Sequence, residues 1–240
     1  MKKSYPLLIA LLSSLLCISQ AFAQKNKSIR GNGVIKKETR ELDRFHGVKV
    51  GGAFDVEIKK GNTHEAVIEA DENLMSHIKM EVKDNILHIK MNGWVKKVNK
   101  LNVSLVMRDM ESLSASGASD VVVHDMFEAN EFNLNGSGAA DISLKVQAEK
   151  LKVNLSGSSD VEINGEAEEM FATLSGAVDL DADNFPVEDI NINSSGSSSA
   201  HIHASRELKA MASGSSDINC EGNPSSKSVK SSGAADIQVD

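Results

Sequence analysis

Seven times between residues 116 and 236 the chain spells Ser-Gly, two mostly small residues and, in six of the seven copies, Asp. The glycines are Gly117, Gly138, Gly157, Gly176, Gly196, Gly214 and Gly233, spaced by 21, 19, 19, 20, 18 and 19 residues. A fixed period of this length is the mark of stacked structural repeats, each too small to bury its own apolar face. It constrains the fold more tightly than any single motif. It also makes Ser, Gly and Asp in this chain architectural before they are chemical.

Aligning the copies on their glycine exposes the pattern. Four residues before it stand Leu113, Leu134, Val153, Ala172, Ile192, Ala210 and Val229. Four after it stand Val121, Ile142, Val161, Leu180, Ala200, Ile218 and Ile237, and six after it Val123, Leu144, Ile163, Ala182, Ile202, Cys220 and Val239. The position between those two columns is mostly polar: Val122, Ser143, Glu162, Asp181, His201, Asn219 and Gln238. Alternation with period two predicts half-buried strands. The residue after each glycine is only Ala or Ser, which predicts a tight corner with a positive φ at the glycine. The fold class expected is therefore all-β, a right-handed parallel β-helix-like solenoid with coils of about 19 residues. Coils about 4.8 Å apart would build a prism on the order of 35 Å long.

An early, degenerate copy surrounds Gly52, with Val48 and Val50 before it and Asp55, Val56 and Ile58 after it. The next matching glycine comes 65 residues later. The interval still reads as strands: Val67 to Ala70, a hairpin of Ile78–Val82 and Ile86–Met91 around Asp84-Asn85, and alternating Leu101, Val103, Leu105 and Met107. Asp71 to His77 reads as a turn or one short helix. The expected organisation is a leader over 1–23, a polar segment over 24–44, irregular strand-rich layers over 45–110 and regular repeats over 111–240, with 45–240 as one continuous unit.

Lys2, Lys3, the apolar run Leu7–Ile18 and Ala21-Phe22-Ala23 predict an export signal cleaved before Gln24. Leu16 stands where a lipoprotein signal needs a small residue before Cys17. The formal charge of −8 becomes −10 without the two leader lysines. No basic block is present, which argues against nucleic acid as a partner. No stretch after the leader is long and apolar enough to cross a bilayer. The cysteine that remains, Cys220, has no internal disulfide partner and reads as a small buried hydrophobe.

The stretch from Gly47 through Ala53-Phe54-Asp55-Val56, the segment Glu69-Ala70-Asp71-Glu72-Asn73-Leu74 and the Ser-Gly-Ala-Ser-Asp repeats from Ser116 together resemble the head GIN domain family, over residues 45 to 238. The resemblance implies a right-handed β-helix-like fold and an envelope or cell-surface location in exported bacterial proteins. It implies an adhesin-like role. It brings no activity and no catalytic residues. No membrane-barrel segment follows the last repeat, so any anchoring machinery is expected to be separate.

Four groups of residues are candidates for chemistry. The first is the Asp column: Asp120, Asp141, Asp160, Asp179, Asp217 and Asp236, broken at Ser199. Carboxylates one coil apart repel by roughly 1 kcal/mol per pair in water. Turn hydrogen bonds from backbone N–H groups and serines are one way to offset this; calcium, the one cofactor this pattern leaves open, is the other. The Gly-Gly-x-Gly-x-Asp pattern of calcium β-rolls is absent. The second is His201 and His203, two residues apart on one strand face, a spacing that ligates zinc or copper when a third ligand is near. The third is Trp94 with Lys96, Lys97 and Lys100, a basic-aromatic patch fit for an acidic glycan or a lipid headgroup. Cys220 is the fourth.

A catalytic site usually breaks repeat symmetry, whereas this Asp column follows it. A sugar-processing groove also usually carries exposed aromatics, and after the leader the chain has no Tyr and only Trp94. The expectation is a non-catalytic exported envelope or surface protein whose solenoid presents a repetitive face to a surface protein or glycan. A carbohydrate-binding or polysaccharide-degrading β-helix is the alternative, and a calcium-stabilised scaffold a further one. The sequence specifies no oligomeric state.

Overall fold

The computed structural model describes residues 28–240. The expected leader lies outside the described residues, as does the start of the polar segment. Nine strands precede the regular repeats: β1 (Ile29–Arg30), β2 (Ile35–Glu41), β3 (Gly47–Gly52), β4 (Asp55–Lys60), β5 (Glu65–Asp71), β6 (Ile78–Lys83), β7 (Ile86–Met91), β8 (Val95–Lys97) and β9 (Leu101–Met107). Ten follow: β10 (Ser112–Gly117), β11 (Asp120–Val123), β12 (Phe127–Gly138), β13 (Asp141–Gly157), β14 (Asp160–Gly176), β15 (Asp179–Gly196), β16 (Ser199–Gly214), β17 (Asp217–Glu221), β18 (Ser226–Gly233) and β19 (Asp236–Val239). All but β1 and β8 join one hydrogen-bonded sheet that coils on itself.

The winding follows the expected register. Val153 lies beside Leu134 and Ile163 beside Leu144, all parallel and one coil apart. Gly157 lies beside Gly138 and Gly176, so the glycines form a column. Each has φ between 81° and 104°. At Gly157 a Cβ would collide with the carbonyl oxygen of Gly138, so both the dihedral and the space demand glycine there. The second small residue after each glycine turns inward. Ser159, Ser198 and Ser216 are buried, and their hydroxyls donate back to the carbonyls of Ser156, Ser195 and Ser213 at 3.2, 3.2 and 3.0 Å. These serines tie three of the seven corners from within; Ser119 is buried at a fourth without a hydrogen-bond partner, and Ala140, Val178 and Ala235 fill the rest.

The inward columns form one continuous core from Phe45 to Cys220. The opposite bend of each coil is less regular. Pairing slips between Glu162 and Ala167 and again between Asp181 and Pro186, where Phe185 is buried.

The early copy is a true coil. β3 and β4 pair in register with β10 and β11, setting Gly52 beside Gly117 and Asp55 beside Asp120. The residues between form the cap beneath it. β7 and β9 continue the parallel stacking on β3 and β4. β6 then closes one side as an antiparallel hairpin with β7, its turn residues Asp84 and Asn85 both at positive φ. β5 and β2 close the other side antiparallel. A short 3-10 helix, Glu72–His77, buries Leu74 and Met75. The far end is open: β18 is exposed along its length and Val229 is 46% accessible, although its column is buried in the coils before it.

Candidate functional site

Three outward faces recur along the coil. The first carries the Asp column. Asp55, Asp120, Asp141, Asp160 and Asp179 stand side by side, followed by Ser199, Asp217 and Asp236. These aspartates open strands, and their side chains face solvent. Their backbone N–H groups donate to the preceding coil, as Asp141 does to Ser119 O at 3.0 Å. Among the described residues, the one carboxylate in the column that accepts a side-chain hydrogen bond is Asp236, from Gln238. At Asp141 the backbone N–H of Asp160 offsets part of the repulsion. Partial burial and the charges of Asp120 and Asp160 push the Asp141 carboxyl above its ordinary value. With Glu162 and Asp181 the column lines a shallow groove of about 370 Å³.

The second face flanks the same corner on the other sheet and went unread in the sequence. Three residues before the first five of the seven glycines, Ser114, Asn135, Asn154, Thr173 and Asn193 stack outward beside the serines that precede the glycines, and the column runs on to Lys49 at one end and to Met211 and Lys230 at the other. The amides chain along it: Asn154 donates to Asn135 Oδ1 and Asn135 to Ser114 Oγ, both at 3.4 Å. Ser116 and Ser195 donate back to the coil beneath at 3.1 and 3.2 Å. A groove of about 650 Å³ runs over Lys49, Asn135, Ser137, Asn154 and Ser175. The ladder thus offers regularly spaced, uncharged donors and acceptors, with Phe171 and Met211 exposed nearby on the same sheet. Its signal was present in the aligned repeats as a column of amides and hydroxyls.

The third face lies at the irregular bend. Glu128, Glu149, Glu166, Glu168 and Glu188 line a groove of about 580 Å³. Arg206 holds one edge, pairing with Glu188 and, through two nitrogens, with Asp189, whose carboxyl it depresses below the usual range.

The remaining sequence candidates stay apart. His201 lies between Asp181 and Asn219; His203 lies between Pro186 and Glu221 and packs against Gly222. His124 pairs with Glu57 at 3.6 Å. Among the described residues no three His, Cys, Asp or Glu side chains are grouped as a metal site. Trp94 is 70% exposed, between β7 and β8. Lys96 and Lys97 stand beside it, but Lys100 turns away to pair with Glu69, which also binds Lys37. Cys220 is buried, and burial pushes its thiol up.

Asp71 also escaped the sequence reading. It is a fully buried carboxylate in the cap. Burial alone would raise its pKa, but N–H groups of Asn99, Gly33 and Lys100 outweigh that and hold it below the ordinary value. The bonds from Gly33 N, Asn99 N and Asn99 Nδ2 measure 2.7, 2.9 and 2.7 Å. Asn73 ties in the same loop through Arg30 O and Asn32 N.

A single-chain parallel β-solenoid with a capped N-terminal end and repeated polar faces defines the class of fold. The sequence profile described as "putative auto-transporter adhesin, head GIN domain" matches residues 44–224, and the chain belongs to that family. Solved structures share the fold, among them three from Bacteroides and Parabacteroides. A putative adhesin from Bacteroides fragilis aligns at 19% identity and a TM-score of 0.81, covering 89% of this chain and 100% of the other. One from Parabacteroides merdae aligns at 21% and 0.69, covering 89% and 99%. One from Parabacteroides distasonis aligns at 20% and 0.72, covering 88% and 100%. No curated protein matches the chain. No helix among the described residues is long and apolar enough to cross a membrane.

Proposed function

We propose that this is a non-catalytic, adhesin-like protein of the cell envelope or surface, whose solenoid binds an extended partner along the amide–hydroxyl ladder. The observation that carries this reading is the ladder itself, an uncharged row of Ser114, Asn135, Asn154, Thr173 and Asn193 with one residue per coil. A partner with its own repeat, an extended protein strand or a hydroxyl-rich glycan, can meet several coils at once, and each added contact raises the overall affinity. The family description and the aligned adhesins support the surface assignment, and the leader-like residues 1–23 support export.

The Asp column serves this reading as a boundary. Its unpaired negative charge repels acidic partners and directs neutral ones to the adjoining sheet. The test is binding of the chain lacking residues 1–23 to envelope extracts and to purified polysaccharides. Replacing Asn135, Asn154 and Thr173 by Ala should weaken binding, while replacing Asp120, Asp141 and Asp160 by Asn should not. Turnover of any polysaccharide that vanishes on substituting a single Asp would establish the enzymatic alternative. A melting temperature lowered by chelation would establish the calcium scaffold.

A further inference from the structure

The molecule is electrically lopsided. Residues 28–110 hold 15 Lys and Arg against 12 Asp and Glu, a net +3. Residues 111–240 hold 7 against 22, a net −15. Three of those cations lie where the described chain begins. Ile29 N–H donates to Trp94 O at 2.8 Å and Arg30 lies beside Lys97, so β1 and β8 form a small ribbon outside the main sheet. Arg30, Lys96 and Lys97 are all exposed, and none forms an ion pair among the described residues. Trp94 stands 70% exposed at the end of the ribbon, and Val34 and Ile35, a few residues along the chain, are 56% and 45% exposed. Two acidic residues adjoin this end: the buried Asp71 carboxylate, committed to N–H groups of Gly33 and Asn99, and Glu72, whose backbone N–H bonds to Val34 O.

From this geometry we infer that the N-terminal end is a docking face for an anionic lipid bilayer, with Trp94 seated in the headgroup layer and the coils projecting away. An indole is the side chain best suited to that boundary, with an apolar ring and one N–H donor. Unpaired lysines and arginines beside it gain from the negative surface potential. The rest of the charge fixes the orientation. Coils repeat about every 4.8 Å and the screening length is about 10 Å at 0.1 M salt, so the far acidic coils are screened while the ribbon meets the surface. Approach by the Asp column or by the glutamate-lined bend brings carboxylates first. An acidic glycan shares the charge but gives the exposed Val34 and Ile35 nothing to enter.

Trp94 is the chain's one tryptophan, so its emission reports on this site alone. The experiment uses the chain lacking residues 1–23 with vesicles of phosphatidylcholine, with and without phosphatidylglycerol. Emission should shift to the blue and protein should co-sediment with the anionic vesicles only. Lys96→Gln with Lys97→Gln should weaken that binding by about ten-fold or more, and Trp94→Ala should weaken it at unchanged charge. Lys145→Gln, on a solenoid face, should leave it unchanged. Equal binding to neutral vesicles, an unshifted Trp94, an equal loss in the Lys145 variant, or binding to an anionic polysaccharide but not to vesicles would each overturn the inference. None of these outcomes bears on the amide–hydroxyl ladder, whose residues are untouched.

Discussion

The cap and the coils solve the same problem in different ways. Both bury an apolar interior beneath parallel strands, and both stack in register on a shared glycine corner, Gly52 beneath Gly117. The coils repeat one solution: a positive-φ glycine, a small or apolar residue turned inward two places on and an apolar column continued by the next coil. The cap uses single contacts that occur once, the positive-φ hairpin at Asp84-Asn85 and the buried carboxylate of Asp71 above all. Stability spread over repeats passes between neighbours; stability concentrated in one carboxylate is lost at one stroke. The two ends show the consequence. β2, β5 and β6 close the N-terminal end, whereas β18 leaves the other exposed.

The largest effect should come from the corner. Gly157→Val puts a side chain against the Gly138 carbonyl and forces a β-branched residue to φ +88°. A cost above about 3 kcal/mol is expected in urea unfolding, since strain and collision add. A cost near that of an ordinary surface change would show that the corner is not what holds the coils in register.

Asp71→Ala comes next. It strips the Gly33 and Asn99 donors of their buried acceptor, at about 3 kcal/mol in all. Hydrogen exchange should rise first in β2, β5 and the loops at residues 31–34 and 98–100, with the coils still protected. The pH dependence has a definite sign. The folded pKa of Asp71 lies below its unfolded value, so its contribution is complete above about pH 4. It is lost as pH falls through the folded pKa, and the cap should loosen in acid before the coils do.

A smaller effect separates dihedral strain from collision. Gly33 has φ +80° but nothing within 4 Å of a Cβ, so Gly33→Ala should cost only about 1 kcal/mol. The smallest effect should be a gain. Asp141→Asn removes a charge opposed by Asp120 and Asp160 and should stabilise the protein by about 0.5 kcal/mol near pH 7. Because the Asp141 pKa is raised on folding, this penalty is present above the folded pKa. It fades as pH falls toward the unfolded value, so the gain should shrink in acid.

The coils were legible in the sequence because each column repeats. Val153 over Leu134 needed no long-range knowledge beyond the period. The hairpin at Asp84-Asn85 was equally local. The closure of the cap was not legible, because β2 reaches β5 by an antiparallel pairing that no periodic signal announces. Asp71 read as one more polar residue between a strand and a short helix; its role depends on Gly33 and Asn99, which are distant in sequence. The Asp column was visible, but not that its backbone N–H groups are committed to the coil below or that burial sets Asp141 apart within it. Lys100 shows the same limit, adjacent to the Trp94 patch in sequence and drawn away by Glu69 in space.

The most direct test of a face that binds by repetition is to shorten it. Deleting Ser158–Gly176 removes one 19-residue coil and joins equivalent corners. The affinity of the shortened chain for a partner identified with the full chain is then measured. A graded loss of several-fold in a protein that still folds is the expected result. Complete loss, or none, would contradict binding along the ladder and point to a single local site.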